Sequence, residues 1–185
     1  AVDSSGGSIV GAADAWVVAR NEGIIGSGAI AAAVTSDSPT GANLTQKNAP
    51  ESAGKFGLAI SGAISLNSID DATEAYVSHT DVSQGGGLLV DSKSDSLIVG
   101  VTGSAAMSFN ATTQSAGIAG AYSQNTLDGV TRALVDASDI TLGGRLYLES
   151  VADNDLTVIT ASGAGASKGP GVAGAVSYND IDSKT

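Results

Sequence analysis

The sequence contains no cysteine, so neither a disulfide framework nor a thiolate metal site can be built from it. Basic residues are also scarce, with 8 Lys and Arg against 19 Asp and Glu and a net charge of -11. Nucleic acid and anionic lipid surfaces need clustered Lys and Arg; the few here are scattered, so neither partner is expected, nor is membrane insertion. Aromatics make up only 4% of the chain, which argues against a core of large side chains. No apolar run approaches the roughly 18 residues of a membrane helix. The first residues lack the basic and apolar regions of a signal peptide, so any export address is expected outside this stretch.

What the chain does have is 25 glycines among many Ala, Val, Ser and Thr. Small side chains bury little area each, at about 25 cal/mol per Å² removed from water. Stability must then come from many backbone hydrogen bonds between closely approaching strands. Helix is disfavoured, because Gly, Thr, Ser and Val recur where a helix needs an apolar stripe of period 3.6.

One segment occurs three times: Gly62-Ala63-Ile64-Ser65-Leu66-Asn67-Ser68-Ile69-Asp70-Asp71-Ala72-Thr73, then Gly120 to Thr131, then Gly174 to Thr185. Gly, Ala, Ser, Asn, Asp and Thr keep their places in all three. Aligned on the terminal Thr, the chain divides into units 1–73, 74–131 and 132–185 of a single segment 1–185, the signature of a repeat architecture. Alternate residues of the motif, Ala121, Ser123, Asn125 and Leu127 and their equivalents, stay fixed while the others vary. On a strand the fixed set shares one face, which reads as the inward one. Ladders of Asn67, Asn125 and Asn179, and of Ser65, Ser123 and Ser177, are therefore expected inside. Ile64, Leu66, Tyr122, Val176 and Tyr178 fall outside, as a candidate self-association face.

A strand early in each unit (Ala15-Trp16-Val17, Gly87-Leu88-Leu89, Arg145-Leu146-Tyr147) puts Trp16, Leu88 and Leu146 in one column. Polar stretches after it, such as Ser92-Lys93-Ser94-Asp95, read as turns. All length variation falls at one phase of the repeat, the longest being an insertion loop at 35–56. With four or five short strands per unit, the expectation is an all-β parallel β-solenoid of about six coils, two per unit. An antiparallel meander or sandwich is the alternative.

Sites are sparse. Asp70, Asp128 and Asp182 recur at one position and are the candidate metal ligands, with calcium as the ion; an Asx turn needs the same residue type. No other cofactor is expected. Gly169-Pro170-Gly171-Val172-Ala173-Gly174 matches a dinucleotide pattern, but no helix follows and it dissolves in Ser115-Ala116-Gly117-Ile118-Ala119-Gly120. Gly165-Ala166-Ser167-Lys168-Gly169 matches a hydrolase elbow, yet the sole histidine, His79, has no motif partner. No catalytic residue, and no enzyme, is expected.

The Gly-Ala-x-Ser-x-Asn-x-Ile-Asp-x-x-Thr core, followed by x-Ala-x-Val, a Gly pair and Leu-x-Val, resembles the repeats of very large bacterial exoproteins, the filamentous haemagglutinin-like and leukotoxin-like adhesins. That resemblance implies a parallel β-helix at the cell surface, acting as a stalk, fibre or filament. The expected function is thus a structural extracellular segment of a bacterial surface fibre or adhesin, stacked end to end with copies of itself or with flanking repeats. A carbohydrate- or receptor-binding module using the insertion-loop edge is the first alternative, with a cell-surface glycan or receptor as partner. A β-helix polysaccharide-active enzyme is the second.

Overall fold

The computed structural model describes residues 2–36, 57–109 and 114–185. Eight strands follow one another: β1 (Val2–Gly11), β2 (Ala15–Ser36), β3 (Gly57–Gln84), β4 (Leu88–Phe109), β5 (Ser115–Asp136), β6 (Ile140–Leu142), β7 (Leu146–Ala166) and β8 (Gly171–Lys184). No helix occurs among the described residues. One sheet has the order β1-β3-β5-β8, with β6 on β3, and the other the order β2-β4-β7. Every pairing is parallel, which replaces the antiparallel alternative.

Register follows the repeat residue by residue. Asn67 pairs with Asn125 and Asn125 with Asn179, Thr73 with Thr131, and Ile69 with Leu127 and then Ile181. The pairing spans one whole unit, so each unit adds one row to each sheet. Two coils per unit, and with them a count of about six, do not follow from this pairing. The strands are long, 28 residues in β3 and 22 in β4, where short ones were expected.

The expected turns explain part of that length. Ser92, Ser94 and Ser96 lie inside β4, and all three are buried. A run of Ser alternating with Lys and Asp looks like a turn by composition, but its period of two is that of a strand with serines facing in. The early-strand column also needs correction by one residue. Ala15 pairs with Leu88, which pairs with Leu146, whereas Trp16 pairs with Leu89, which pairs with Tyr147. A slip of one residue exchanges faces. Accordingly Trp16 is 71% exposed while Leu88 is 2% exposed.

The two sheets meet face to face. Ser27 Oγ lies 3.2 Å from Ser65 Oγ, Ser92 Oγ donates to Thr73 O at 2.7 Å, and Ser150 Oγ donates to Thr131 O at 2.7 Å. Between them the interior has three zones along the strands. Ala59, Ala106 and Ala119 pack at one end, and Val17, Ala75, Val77, Val82, Leu88 and Val90 at the other. The middle is mixed, with Asn67, Asn125, Ser92, Ser94 and Ser96 buried beside Leu127 and Ile98. Most buried polar groups are hydrogen-bonded, and the side-chain bonds of Asn67, Asn125, Ser92, Ser94 and Ser96 lie in this middle zone.

Corners punctuate the first sheet. His79 (φ 51°) and Ala137 (φ 46°) are left-handed at equivalent places, just after the paired Ser78 and Asp136. Past the corner the rows rejoin, with Val82 to Gln84 paired to β6 and Thr80 N donating to Ser138 Oγ at 3.1 Å. Of the insertion loop, Thr35 and Ser36 belong to β2; the remainder lies outside the described residues.

Candidate functional site

The most ordered chemistry in the molecule is the asparagine column. Asn67 Nδ2 donates to Asn125 Oδ1 at 2.6 Å, and Asn125 Nδ2 donates to Asn179 Oδ1 at 2.8 Å. Each amide is also tied to the serine two residues earlier: Asn67 Nδ2 to Ser65 Oγ at 3.3 Å, Asn125 Nδ2 to Ser123 Oγ at 3.0 Å, and Ser177 Oγ to Asn179 Oδ1 at 3.4 Å. The alternation of β3, β5 and β8 places these residues on one face, and parallel register sets them one strand spacing apart. Asn125 is 0% exposed, Asn67 8%, and Asn179 is exposed in the edge strand β8. Because the donors all point the same way along the stack, the column has a direction.

A second polar cluster centres on Asp71. Its carboxylate accepts from Asn21 Nδ2, from Ser94 Oγ at 2.9 Å and from Ser96 Oγ at 3.2 Å. Three donors from the facing sheet hold this half-buried charge. Gly129, the residue paired with Asp71, has no side chain to compete: a Cβ there would lie 2.8 Å from Asp71 Oδ1. Sequence reading passed over Asp71 in favour of its neighbour Asp70. The signal was available, since Asp71 shares parity with Asn67 and Ile69 and faces a glycine one unit on.

Asp70, Asp128 and Asp182 do stack in one column, on the exposed outer face. Asp182 Oδ2 accepts from Lys184 Nζ at 2.9 Å, and that bond and charge raise the lysine pKa above its ordinary 10.5. No group of three or more Asp, Glu or His side chains able to hold a metal ion occurs among the described residues. His79 Nδ1 lies 2.7 Å from Ser78 Oγ, and Ser167 Oγ lies 3.5 Å from Ser115 Oγ.

Comparison with known protein families, with characterised proteins and with solved structures finds no match to this chain. Its surfaces therefore have to speak for themselves. On the outer face of the first sheet, Ile64 pairs with Tyr122 and Tyr122 with Val176, while Leu66 pairs with Gln124 and Gln124 with Tyr178. Ile64, Leu66, Val176 and Tyr178 are 53–68% exposed, and Tyr122 is 37% exposed with its hydroxyl donating to Gln124 Oε1 at 3.1 Å. On the second sheet, Trp16, Leu89 and Tyr147 follow one another across three rows beside Asp14 and Arg145. They line an open groove of about 220 Å³. No described helix is long and apolar enough to cross a membrane.

Proposed function

We propose that the chain is a structural extracellular repeat segment of a bacterial surface fibre or adhesin. In this reading it is a parallel β-solenoid with one flattened winding per repeat, stacked with further rows of its own kind. The observation that carries it is the directional asparagine column, in which identical side chains from successive units hydrogen-bond to one another through the interior. Such columns gain from each added row, as expected of a quasi-one-dimensional scaffold whose stability comes from neighbour contacts. Acidic, cysteine-free composition and the resemblance to large exoprotein repeats support the surface location. Immunogold electron microscopy of cells that make the protein tests it. Label along extended surface appendages is expected; label confined to the cytosol would remove the reading.

A second reading, glycan binding, is favoured by the groove on the second sheet. Trp16 and Tyr147 are 71% and 58% exposed there, and flat aromatic faces flanked by charged groups suit the mixed polar and apolar surface of a sugar ring. Trp16 is the only tryptophan, so quenching of its fluorescence by soluble oligosaccharides reads this directly.

A further inference from the structure

The outer face of the first sheet carries a relief that runs from row to row. Ile60, Ile118 and Val172 form one ridge, Ile64, Tyr122 and Val176 a second, and Gly62, Gly120 and Gly174 the trench between them. Nothing within the chain asks for those glycines. A Cβ at Gly120 or Gly174 would have no atom within 4 Å, one at Gly62 would meet only Gly120 O at 3.9 Å, and all three have ordinary strand backbone. Glycine inside a strand weakens it and marks places where another backbone or a ligand comes close. The outer face of the second sheet is also apolar in part, but there Gly26 and Gly28 lie beside Val99 and Val101, and Gly103 beside Ile30, so no trench crosses its rows.

The two ridges are large. Together with Leu66 and Tyr178 their side chains are 37–68% exposed. At roughly 200 Å² for a fully exposed side chain of this size, they present on the order of 900 Å² of apolar surface. The largest apolar patch on an ordinary monomer is about 300–600 Å², and a stable interface takes about 800 Å² from each partner. The face lies along the side of the stack, so further rows would lengthen it without covering it. In a chain of net charge -11, no charged residue stands in the outward columns from Ile60 to Leu66. Two acidic copies can touch there without setting carboxylate against carboxylate.

Two such faces can meet about a two-fold axis along the strands or along the stack. An axis along the strands lays every column over its own twin, so ridge meets ridge and the column of Asp70, Asp128 and Asp182 meets its own copy. An axis along the stack, set between the trench and the second ridge, reverses the strand direction of the partner. The Ile64 ridge of each copy then drops into the glycine trench of the other, and the two Asp columns lie at opposite rims. Packing and charge select the same axis.

Going beyond the scaffold reading, we propose that the outer face of β3, β5 and β8 binds the same face of a second copy about a two-fold axis parallel to the stack, with the Ile64, Tyr122 and Val176 ridge of each seated in the glycine trench of the other. Such an isologous contact closes on itself, so it gives a dimer however many rows are stacked.

Filling the trench separates association from folding. In sedimentation the natural chain should dimerise at micromolar concentration, as interfaces of this size do at their weaker end. Gly62→Val, Gly120→Val and Gly174→Val together should weaken the dimer at least about tenfold by overpacking the contact. The urea midpoint should stay the same or rise, because valine suits a strand better than glycine. Gly28→Val, which also adds its side chain to open space but on the second sheet, should leave the dimer unchanged. Ile118→Lys should remove the dimer, and Ile30→Lys, the same change on the other outer face, should not. A chain still monomeric at about 1 mM, open-ended multimers in place of a dimer, or a dimer equally tight with the trench filled overturns the proposal. So does loss of the dimer in Ile30→Lys, which would move the contact to the second sheet. Should the triple valine variant not fold, Ile118→Lys and Ile30→Lys decide. Purified chain is all the measurement needs, so a missing dimer leaves the immunogold test of the scaffold reading untouched, and cytosolic label leaves the dimer standing.

Discussion

Replacing Asn125 by Ala tests whether the polar middle of the molecule holds it together. The Asn125 amide accepts from Asn67 Nδ2 at 2.6 Å and donates to Ser123 Oγ at 3.0 Å and Asn179 Oδ1 at 2.8 Å, at a position 0% exposed. Three neutral hydrogen bonds at about 1 kcal/mol net each give about 3 kcal/mol, and incompletely satisfied buried partners add about 1 more. Asn67 Nδ2 keeps only its longer bond to Ser65, which bounds the extra term. Asn179→Ala, in exposed β8, removes one acceptor of the column and should cost about 1 kcal/mol or less. Urea unfolding reads both: with a slope of about 2 kcal/mol/M, Asn125→Ala should lower the midpoint by about 1.5–2 M at unchanged slope. Equal midpoints for the two variants would refute the argument, because the column would then contribute no more inside the stack than at its edge.

Further outcomes follow from single positions. Ala137 holds φ at 46°, so Ala137→Gly should raise stability by about 0.5–1 kcal/mol, read as a higher urea midpoint, even though glycine usually lowers it. Thr131 Oγ1 is buried without a hydrogen-bond partner, as is Thr73 Oγ1 one row away. Thr131→Val should therefore be neutral or stabilising by up to about 1 kcal/mol in thermal unfolding; a loss above that would mean the hydroxyl has a role. Gly129→Ala brings a methyl group to 2.8 Å from Asp71 Oδ1 and should cost about 1–3 kcal/mol. In a double-mutant cycle with Asp71→Ser the penalty should shrink by more than about 0.5 kcal/mol, and strict additivity would show that the two residues do not meet.

Much of the first sheet was legible because its repeated residues carry both periods at once. Alternation sets which side of the motif faces in, and identity between units sets register, so the Asn and Ser columns are readable from the repeat alone. The second sheet was less legible for a physical reason. Its anchor is the Gly pair before Leu88 and Leu146, and the first unit has Ala12-Ala13 there, so the alignment slid by one and put Trp16 in the column of buried Leu88. Composition misled at Ser92 to Ser96, where residues typical of turns form an inward polar face. The corners at His79 and Ala137 had no glycine to announce their left-handed backbone.

Columns of like residues raise a problem that the irregular positions answer. A parallel stack in which every row carries Asn, Ser and Thr at the same places has its register along the strand fixed, since a one-residue slip would expose the whole inner face. Its row order is not fixed by those columns, because any row could follow any other at the same hydrogen-bonding gain. Order must come from pairs that fit in one sequence only. Asp71 needs the glycine at 129 on the next row and the Ser94 and Ser96 hydroxyls opposite. Arg20 needs the carboxylate of Asp91, and Asp14 needs the bare backbone of Gly86 and Gly87, where a Cβ on Gly86 would come within 2.3 Å of its oxygen. Swapping adjacent rows would set side chains into those gaps and strand the Asp71 charge, a penalty that acts against misordering as repulsive elements do in other repeated assemblies. The regular columns thus supply cohesion, and the exceptions to them supply sequence.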